Sequence, residues 1–248
     1  MIIFCSIMRV VSFDIGIINM AVCLIETDET KKPHIRLWEI LDTAQIPKCS
    51  HCTKKAKSYT AIPKSKDPDA KYYYCASHHK SIAEKQFTSR QIKSIKDTKD
   101  MDLDYLGSNL YHLLESYPQL TENIDWVLFE NQPVLKNPKM KSVQMILYSY
   151  FLHKKVLSGS SIRNLKFYTA RRKLEIQGIS LDQTNFDKKQ YSDRKSLGKL
   201  ITKELLQKLG EYEQLEKLLR YEKQDDLCDA FVQGIEHLQT QGELLLAS

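Results

Sequence analysis

Apolar positions along this chain fall into short runs near its start and into helical stripes toward its end. Residues 9–26 are almost continuously apolar, broken by Asp14, Gly16 and Asn19, a pattern that predicts a buried strand, a tight turn and a second strand. With the next apolar stretch, strands are expected over 8–15, 19–27 and 34–41. A helix is expected over 102–116, where Leu103, Leu106, Leu110, Leu113 and Leu114 supply the period and Pro118 stops it. The run 124–130 predicts a strand ending at Glu130, with Asn131-Gln-Pro133 as terminator. A helix over 139–157 follows, with Val143, Ile146, Leu147 and Tyr150 on one face, and then a strand over 163–169. The polar stretch up to Ser192 reads as a flexible loop. From Asp193 a helix carries Leu197, Leu200, Ile201, Leu205 and Leu209 until Gly210 closes it. Segments 212–221 and 225–239 complete a helical end, the latter with Leu227, Ala230, Phe231, Ile235 and Leu238 as its apolar stripe. Early strands joined as hairpins and later strands reached through helices make this an α/β chain.

Four acids stand out against that pattern. Asp14 interrupts an apolar run and Glu130 ends another. Asp226 and Asp229, three apart, share one side of a helix on the flank of its stripe, facing the strand ends. Carboxylates gathered at a half-buried place repel one another unless a cation neutralises them, and hard oxygen donors suit Mg2+ or Mn2+. Two such ions about 3.5–4 Å apart can activate a water and stabilise the leaving oxygen of a phosphodiester. Each acid also has a plainer explanation. Asp14 beside Gly16 could form a turn, Glu130 could end its strand by chance, and the acids of 225–229 could complement a helix dipole. Together they point to metal-dependent chemistry on a nucleic-acid backbone.

A second constellation lies in residues 42–100. Cys49-Ser-His-Cys52 and Cys75-Ala-Ser-His78 form a CxxC and a CxxH separated by twenty-two residues. Each pair can offer two ligands to one tetrahedral zinc, and four protein ligands leave no open position, so the expected site is structural. Free buried cysteines are the alternative, disfavoured because the segment between the pairs is too polar to fold on a core of its own. His51 and His79 are neighbours of the set, and His79 is the more plausible substitute for His78. Tyr72-Tyr-Tyr74 reads as a strand of a zinc ribbon or as a surface on which bases stack. From Lys48 to Lys99 there are thirteen Lys or Arg against four acids, a local net of +9 in a chain whose total is +6, which leaves −3 for the rest. Such a basic segment suits phosphate neutralisation, although a charge run is also compatible with a merely solvated face.

Length and composition then narrow the class. At 248 residues and 42% hydrophobic the chain can build a full core, and 9% aromatic content with eight glycines argues against disorder or a fibrous repeat. No apolar stretch reaches membrane-spanning length, so no membrane partner is expected, and residues 1–8 are too short and lack the basic start of a signal peptide. Three of the six cysteines lie in the two knuckles while Cys5, Cys23 and Cys228 have apolar neighbours, which favours reduced thiols in an intracellular, reducing compartment. Met8 could serve as an alternative start.

Three stretches carry a family resemblance: Asp-Ile-Gly-Ile-Ile-Asn-Met-Ala (14–21), Phe-Glu-Asn-Gln-Pro (129–133) and Asp-Asp-Leu-Cys-Asp-Ala (225–230). They resemble the acidic motifs of the RuvC-type Holliday junction resolvases in the RNase H-like superfamily, and the Glu-Asn-Gln form is most similar to the poxvirus and large DNA virus branch. The element order fits the mixed five-stranded sheet of that fold. The resemblance implies one RNase H-like nuclease domain over 1–248, with residues 42–100 as an inserted basic zinc-binding module and a second departure over 176–192. It implies a homodimer that cuts four-way DNA junctions with two magnesium ions held by Asp14, Glu130, Asp226 and Asp229. Lys173, in Phe167-Tyr-Thr-Ala-Arg-Arg-Lys173, matches a lysine that follows the fifth strand in the poxvirus branch, where an ammonium could orient the attacking water or offset charge on the phosphate. A solvated basic turn with Arg171 and Arg172 is the competing reading, and Asp225 is given no ligand role. A viral origin would place the work in the cytoplasm of an infected cell.

Other readings remain open. A related nuclease could act on flaps or RNA/DNA hybrids, and a non-catalytic zinc-containing nucleic-acid-binding protein would carry the same elements. Asp-Ile-Gly-Ile-Ile-Asn also resembles the first phosphate loop of the actin-like ATP-binding phosphotransferases, but the second Gly-rich loop they require is not found.

Overall fold

The structure, a computed structural model, describes residues 7–67, 69–135, 137–168, 191–221 and 223–244. In chain order its strands are β1 (Arg9–Asp14), β2 (Met20–Thr27), β3 (Pro33–Leu41), β4 (Ser58–Ala61), β5 (Lys71–Tyr74), β6 (Lys93–Ser94), β7 (Trp126–Glu130) and β8 (Asn164–Tyr168). Its longer helices are α1 (Leu103–Glu115), α2 (Pro138–Leu157), α3 (Tyr191–Leu209), α4 (Tyr212–Arg220) and α5 (Asp225–Thr240). Two compact units result. One comprises the chain up to Thr43 together with the chain from Leu106 onward, and the other is Ala44–Tyr105. The expected loop before Ser192 lies outside the described residues, except that α3 already begins at Tyr191.

The larger unit is a five-stranded mixed sheet in the order β3-β2-β1-β7-β8. Short turns join β1, β2 and β3 as antiparallel neighbours, while β7 and β8, each reached through a helix, run parallel to β1. Gly16 serves the first turn: a Cβ there would lie 2.3 Å from the Asn19 carbonyl oxygen. Alternation along the strands divides the core in two. On one face Phe13 and Phe129 stack 6.1 Å apart and meet Phe151 of α2. On the other face Val10, Cys23, Ile25, Trp38 and Leu128 pack against α3, α4 and α5. Asp125 ties the strand starts together, accepting from the Arg9 backbone N–H at 2.8 Å and pairing with Arg163 at 2.8 Å.

Three helices depart from the expected stripes. Leu200, placed on the apolar face of α3, is 45% exposed, and the buried set is Ile201, Leu205, Leu206 and Leu209. Likewise Leu103 at the start of α1 is exposed while Leu106, Leu110 and Leu114 are buried. In α5 the five-residue stripe proves too narrow: every residue from Ala230 to Leu238 is buried, because the sheet covers one side of the helix and α3 packs on another. Among the described residues, no helix is long and apolar enough to cross a membrane.

That sandwiching traps His237. Its ring lies 4.7 Å from that of Trp126 and 6.2 Å from that of Tyr168, and among the described residues neither ring nitrogen has a hydrogen-bond partner. Burial disfavours the imidazolium, aided by the Lys166 ammonium, and lowers its pKa from 6.5 to about 4. The unfolded chain therefore binds a proton that the folded chain does not, and folding stability rises as pH climbs from about 4 to 6.5. Urea unfolding across that window measures this slope, and His237→Phe should flatten it; an unchanged slope would assign it to other groups.

Candidate functional site

The five-stranded sheet carries two of the four acids to adjacent strand ends. Parallel pairing runs from Val10 opposite Trp126 to Phe13 opposite Phe129, and one further step sets Asp14 beside Glu130 on strands about 5 Å apart. Both residues have the strand parity of Val10, Ser12 and Leu128, so both project from the face that α5 covers. Asp14 is only 8% exposed.

Helix α5 brings the other two acids toward them. Gln233 donates to the Ser12 hydroxyl at 2.9 Å and to the Phe13 carbonyl at 3.4 Å, fixing this part of the helix over β1. Asp229 lies four residues before Gln233 and Asp226 seven before it, so all three share one stripe of the helix. His237 against Trp126, at the start of β7, marks the opposite end of the strands, so the acidic end of α5 points toward the strand ends where Asp14 and Glu130 lie. Asp226 and Asp229 are half-buried, and Gly198 of α3 comes close to Asp229, where a Cβ would lie 3.9 Å from Oδ1.

Neighbours hold these carboxylates in particular directions. Lys223 pairs with Asp226 at 2.9 Å. Gln132 donates to Glu130 Oε2 at 2.9 Å, while buried Gln144 donates to the Glu130 carbonyl at 2.8 Å and accepts from the Gln132 N–H at 3.3 Å. These four partners, Gln132, Gln144, Lys223 and Gln233, were not among the expected site residues. Gln144 and Gln233 could have been suspected as polar residues within otherwise apolar helix faces. Asp225, given no ligand role, is itself buried at the start of α5. Lys173 lies outside the described residues.

The smaller unit is built around a three-stranded sheet, β5-β4-β6. Cys49 and Cys52 lie on a turn closed by the Cys49 N–H donating to the Lys54 carbonyl at 2.8 Å. Cys75 starts a helical turn, Ala76–His78, that carries His78. The ligand atoms of Cys49, Cys52, Cys75 and His78 all lie within 4.8 Å of one another. Among the described residues that closeness is reached by this set and not by any three of the four acids, of which Asp226 is turned to Lys223 and Glu130 to Gln132. Cys52 and Cys75 sulfurs are 3.7 Å apart, and His78 Nδ1 is 3.3 Å from Cys49 Sγ and 3.6 Å from Cys75 Sγ. Zinc–sulfur bonds of about 2.3 Å in a tetrahedron require sulfur–sulfur edges of about 3.8 Å, so the set fits that ion. The His78 backbone N–H helps pull the Cys75 thiol below its ordinary pKa, whereas that of Cys52 is raised.

The neighbouring histidines are accounted for otherwise. His79 bonds the Ser58 hydroxyl at 2.7 Å and approaches Glu84 at 3.2 Å. His51 stacks on Tyr74 at 5.7 Å and meets His78 edge-on at 5.4 Å.

No family model matches the chain. Over 225 residues it is 36% identical to an uncharacterized protein, L451, of Acanthamoeba polyphaga mimivirus, a match covering 82% of this chain and 53% of the other. The chain thus spans about half the length of that curated relative. Among solved structures, the yeast mitochondrial Holliday junction resolvase Ydc2 superposes with a TM-score of 0.50 at 14% identity, over 95% of this chain and 81% of that one. The fowlpox virus resolvase, solved in complex with its substrate Holliday junction DNA, gives a TM-score of 0.49 at 16% identity, over 94% and 99% of the two chains. At 14% identity the likeness to Ydc2 shows the fold alone. That fold is a mixed five-stranded sheet flanked by helices, and this chain carries a Cys/His-bearing unit in its sequence between β3 and β7.

Proposed function

We propose that this protein is a magnesium-dependent, structure-selective endonuclease that resolves four-way DNA junctions as a homodimer. The observation that carries the reading is the placement of Asp14 and Glu130 at adjacent parallel strand ends, with the Asp226 and Asp229 stripe of α5 directed toward them. The donor set fits the ions proposed: these side chains offer only hard oxygens, and Asp14 is nearly enclosed. Divalent ions bound there would supply an activated water and charge stabilisation at the leaving oxygen. The chain's own groups do the orienting. Gln132 and Gln144 fix Glu130 at its strand end, Gln233 fixes the helix that bears Asp229, and Lys223 orients the Asp226 carboxylate. Lys173 is assigned to the transferring phosphate on the strength of the resemblance. Zinc on Cys49, Cys52, Cys75 and His78 is structural, and an intracellular, reducing setting, in a host cytoplasm if the chain is viral, completes the proposal.

The test incubates matched four-way, flap, splayed and RNA/DNA hybrid substrates with magnesium, beside Asp14→Asn. Symmetric nicking of the four-way junction is expected, with a loss of about 100-fold or more in the variant, the scale for removing one group that stabilises developing charge. Equal cutting of every substrate would leave a general nuclease, binding without cutting would leave a scaffold, and full activity in Asp14→Asn would end the metal-site reading.

Zinc is tested separately by elemental analysis. One zinc per chain is expected in the wild type and none in Cys75→Ser, with residues 44–105 becoming protease-sensitive in the variant, since metal binding and folding are coupled at such sites. A zinc-free wild type that resists proteolysis over that segment would remove the zinc site.

A further inference from the structure

The sheet of the smaller unit leaves two tyrosines unused by its core. Strand alternation puts Thr60 and Tyr74 on the buried side, where Tyr74 stacks on His51 beside the Cys/His set. Tyr59 and Tyr73, directly opposite one another in β4 and β5, project from the other face with their rings 6.1 Å apart and tilted by 48°. They are only half-buried. Beside them opens a cavity of about 370 Å³, within the roughly 300–1,000 Å³ range of small-molecule sites. All of its walls come from residues 44–105.

Its lining is both aromatic and cationic. The Lys71 ammonium lies 5.4 Å above the Tyr59 ring, a cation–π distance. Tyr105 stands at the rim, 45% exposed, its hydroxyl donating to the Ala44 carbonyl at 3.3 Å and so holding the ring in place. Lys96 lines the wall and offsets Asp102 at 3.1 Å, and Lys71 approaches the well-exposed Asp69 at 3.9 Å. Flat rings at the base, a ring at the rim and two ammonium groups at the edge suit a flat heteroaromatic group attached to an anionic backbone. The net charge of +9 from Lys48 to Lys99 favours the same kind of occupant.

We infer that this pocket binds an unpaired base of single-stranded DNA, stacked on Tyr59 and Tyr73, with the flanking phosphates met by Lys71 and Lys96. The inference rests on the nucleic-acid role proposed above but not on cutting. It adds a subsite that holds DNA where base pairing has been broken. Stacking is indifferent to sequence because every base presents a π-face, so the subsite recognises single-strandedness rather than a particular base.

The experiment uses the full-length, zinc-loaded protein in magnesium-free buffer, with a fluorescent oligo(dT) strand and a blunt duplex of equal length as probes. Replacing both rings, Tyr59→Leu with Tyr73→Leu, should weaken oligo(dT) binding roughly 10-fold or more, the scale of lost base–aromatic stacking, and leave duplex binding nearly unchanged. The Phe pair, Tyr59→Phe with Tyr73→Phe, keeps the π-faces and should bind as the wild type does. A Leu pair with full zinc content and wild-type affinity would overturn the inference, as would a Phe pair weakened equally. Photocrosslinking of an iododeoxyuridine-labelled strand to the unmodified protein decides the matter if the Leu pair fails to fold. Crosslinks are expected at Tyr59, Tyr73 or Tyr105, and crosslinks at none of these rings would refute the subsite. Ring-dependent oligo(dT) binding without junction cutting would sink only the nuclease reading, and junction cutting with ring-independent binding would sink only this one.

Discussion

The larger unit depends on how closely α5 approaches β1 and β2. A Cβ placed on Gly234 would lie 2.7 Å from Ile25 Cδ1 and 3.6 Å from Ser12 Cβ, so a side chain there would have to push the Ile25 methyl aside or lift the helix from the sheet. One residue earlier, Gln233 spans the remaining gap with its bond to the Ser12 hydroxyl. That bond is buried, where leaving a donor unsatisfied costs about 1–3 kcal/mol, so it fixes rotation as well as distance. Turning α5 by one residue would swing Asp229 and Asp226 by about 100° away from the strand ends. The packing that builds the core and the geometry that gathers the acids are therefore one constraint.

The same constraint explains what could be read in the sequence. Asp14 and Glu130 were visible because a charge in an apolar strand is conspicuous, and the helical spacing of Asp226 and Asp229 is a local property. The parallel register that sets Phe13 opposite Phe129 is not local, since it depends on two strands separated by the whole smaller unit and α1. The α5 stripe was read too narrowly for a related reason. A hydrophobic stripe marks the apolar side of a helix, whereas Gln233 and His237 are polar residues buried against the sheet through Ser12, Trp126 and Tyr168, which no hydrophobic period announces. Leu200 shows the reverse error, an apolar residue at stripe spacing that faces outward.

The Cys/His set was legible because two knuckles encode their ligands within four residues each. The choice between His78 and His79 was not, because both follow Cys75 closely. It is decided by long-range partners, Ser58 and Glu84 for His79 and the cysteine sulfurs for His78. The tyrosine run was ambiguous in the same way. Alternation alone says that Tyr73 and Tyr74 part company, and only pairing with Tyr59 and contact with His51 say which one turns toward the ligand set.

Residues 44–105 bury little apolar surface: small residues such as Ala44, Ala56 and Ala83 join Tyr74, Met101 and two of the cysteines. A segment this small and polar cannot offset its conformational entropy by burial alone, and the proposed tetrahedral zinc between two knuckles would supply what the core lacks. Because the ligand set lies on one side of the sheet, the other side need not be covered for the unit to hold together. Tyr59, Tyr73 and the lysines around them are thereby released from structural duty. Charge divides along the same boundary, with a net of +6 over residues 44–105 and a net of zero in the rest. Affinity for phosphate, which is long-ranged and weakens with salt, can then reside in one unit while the acids that would repel phosphate without cations reside in the other.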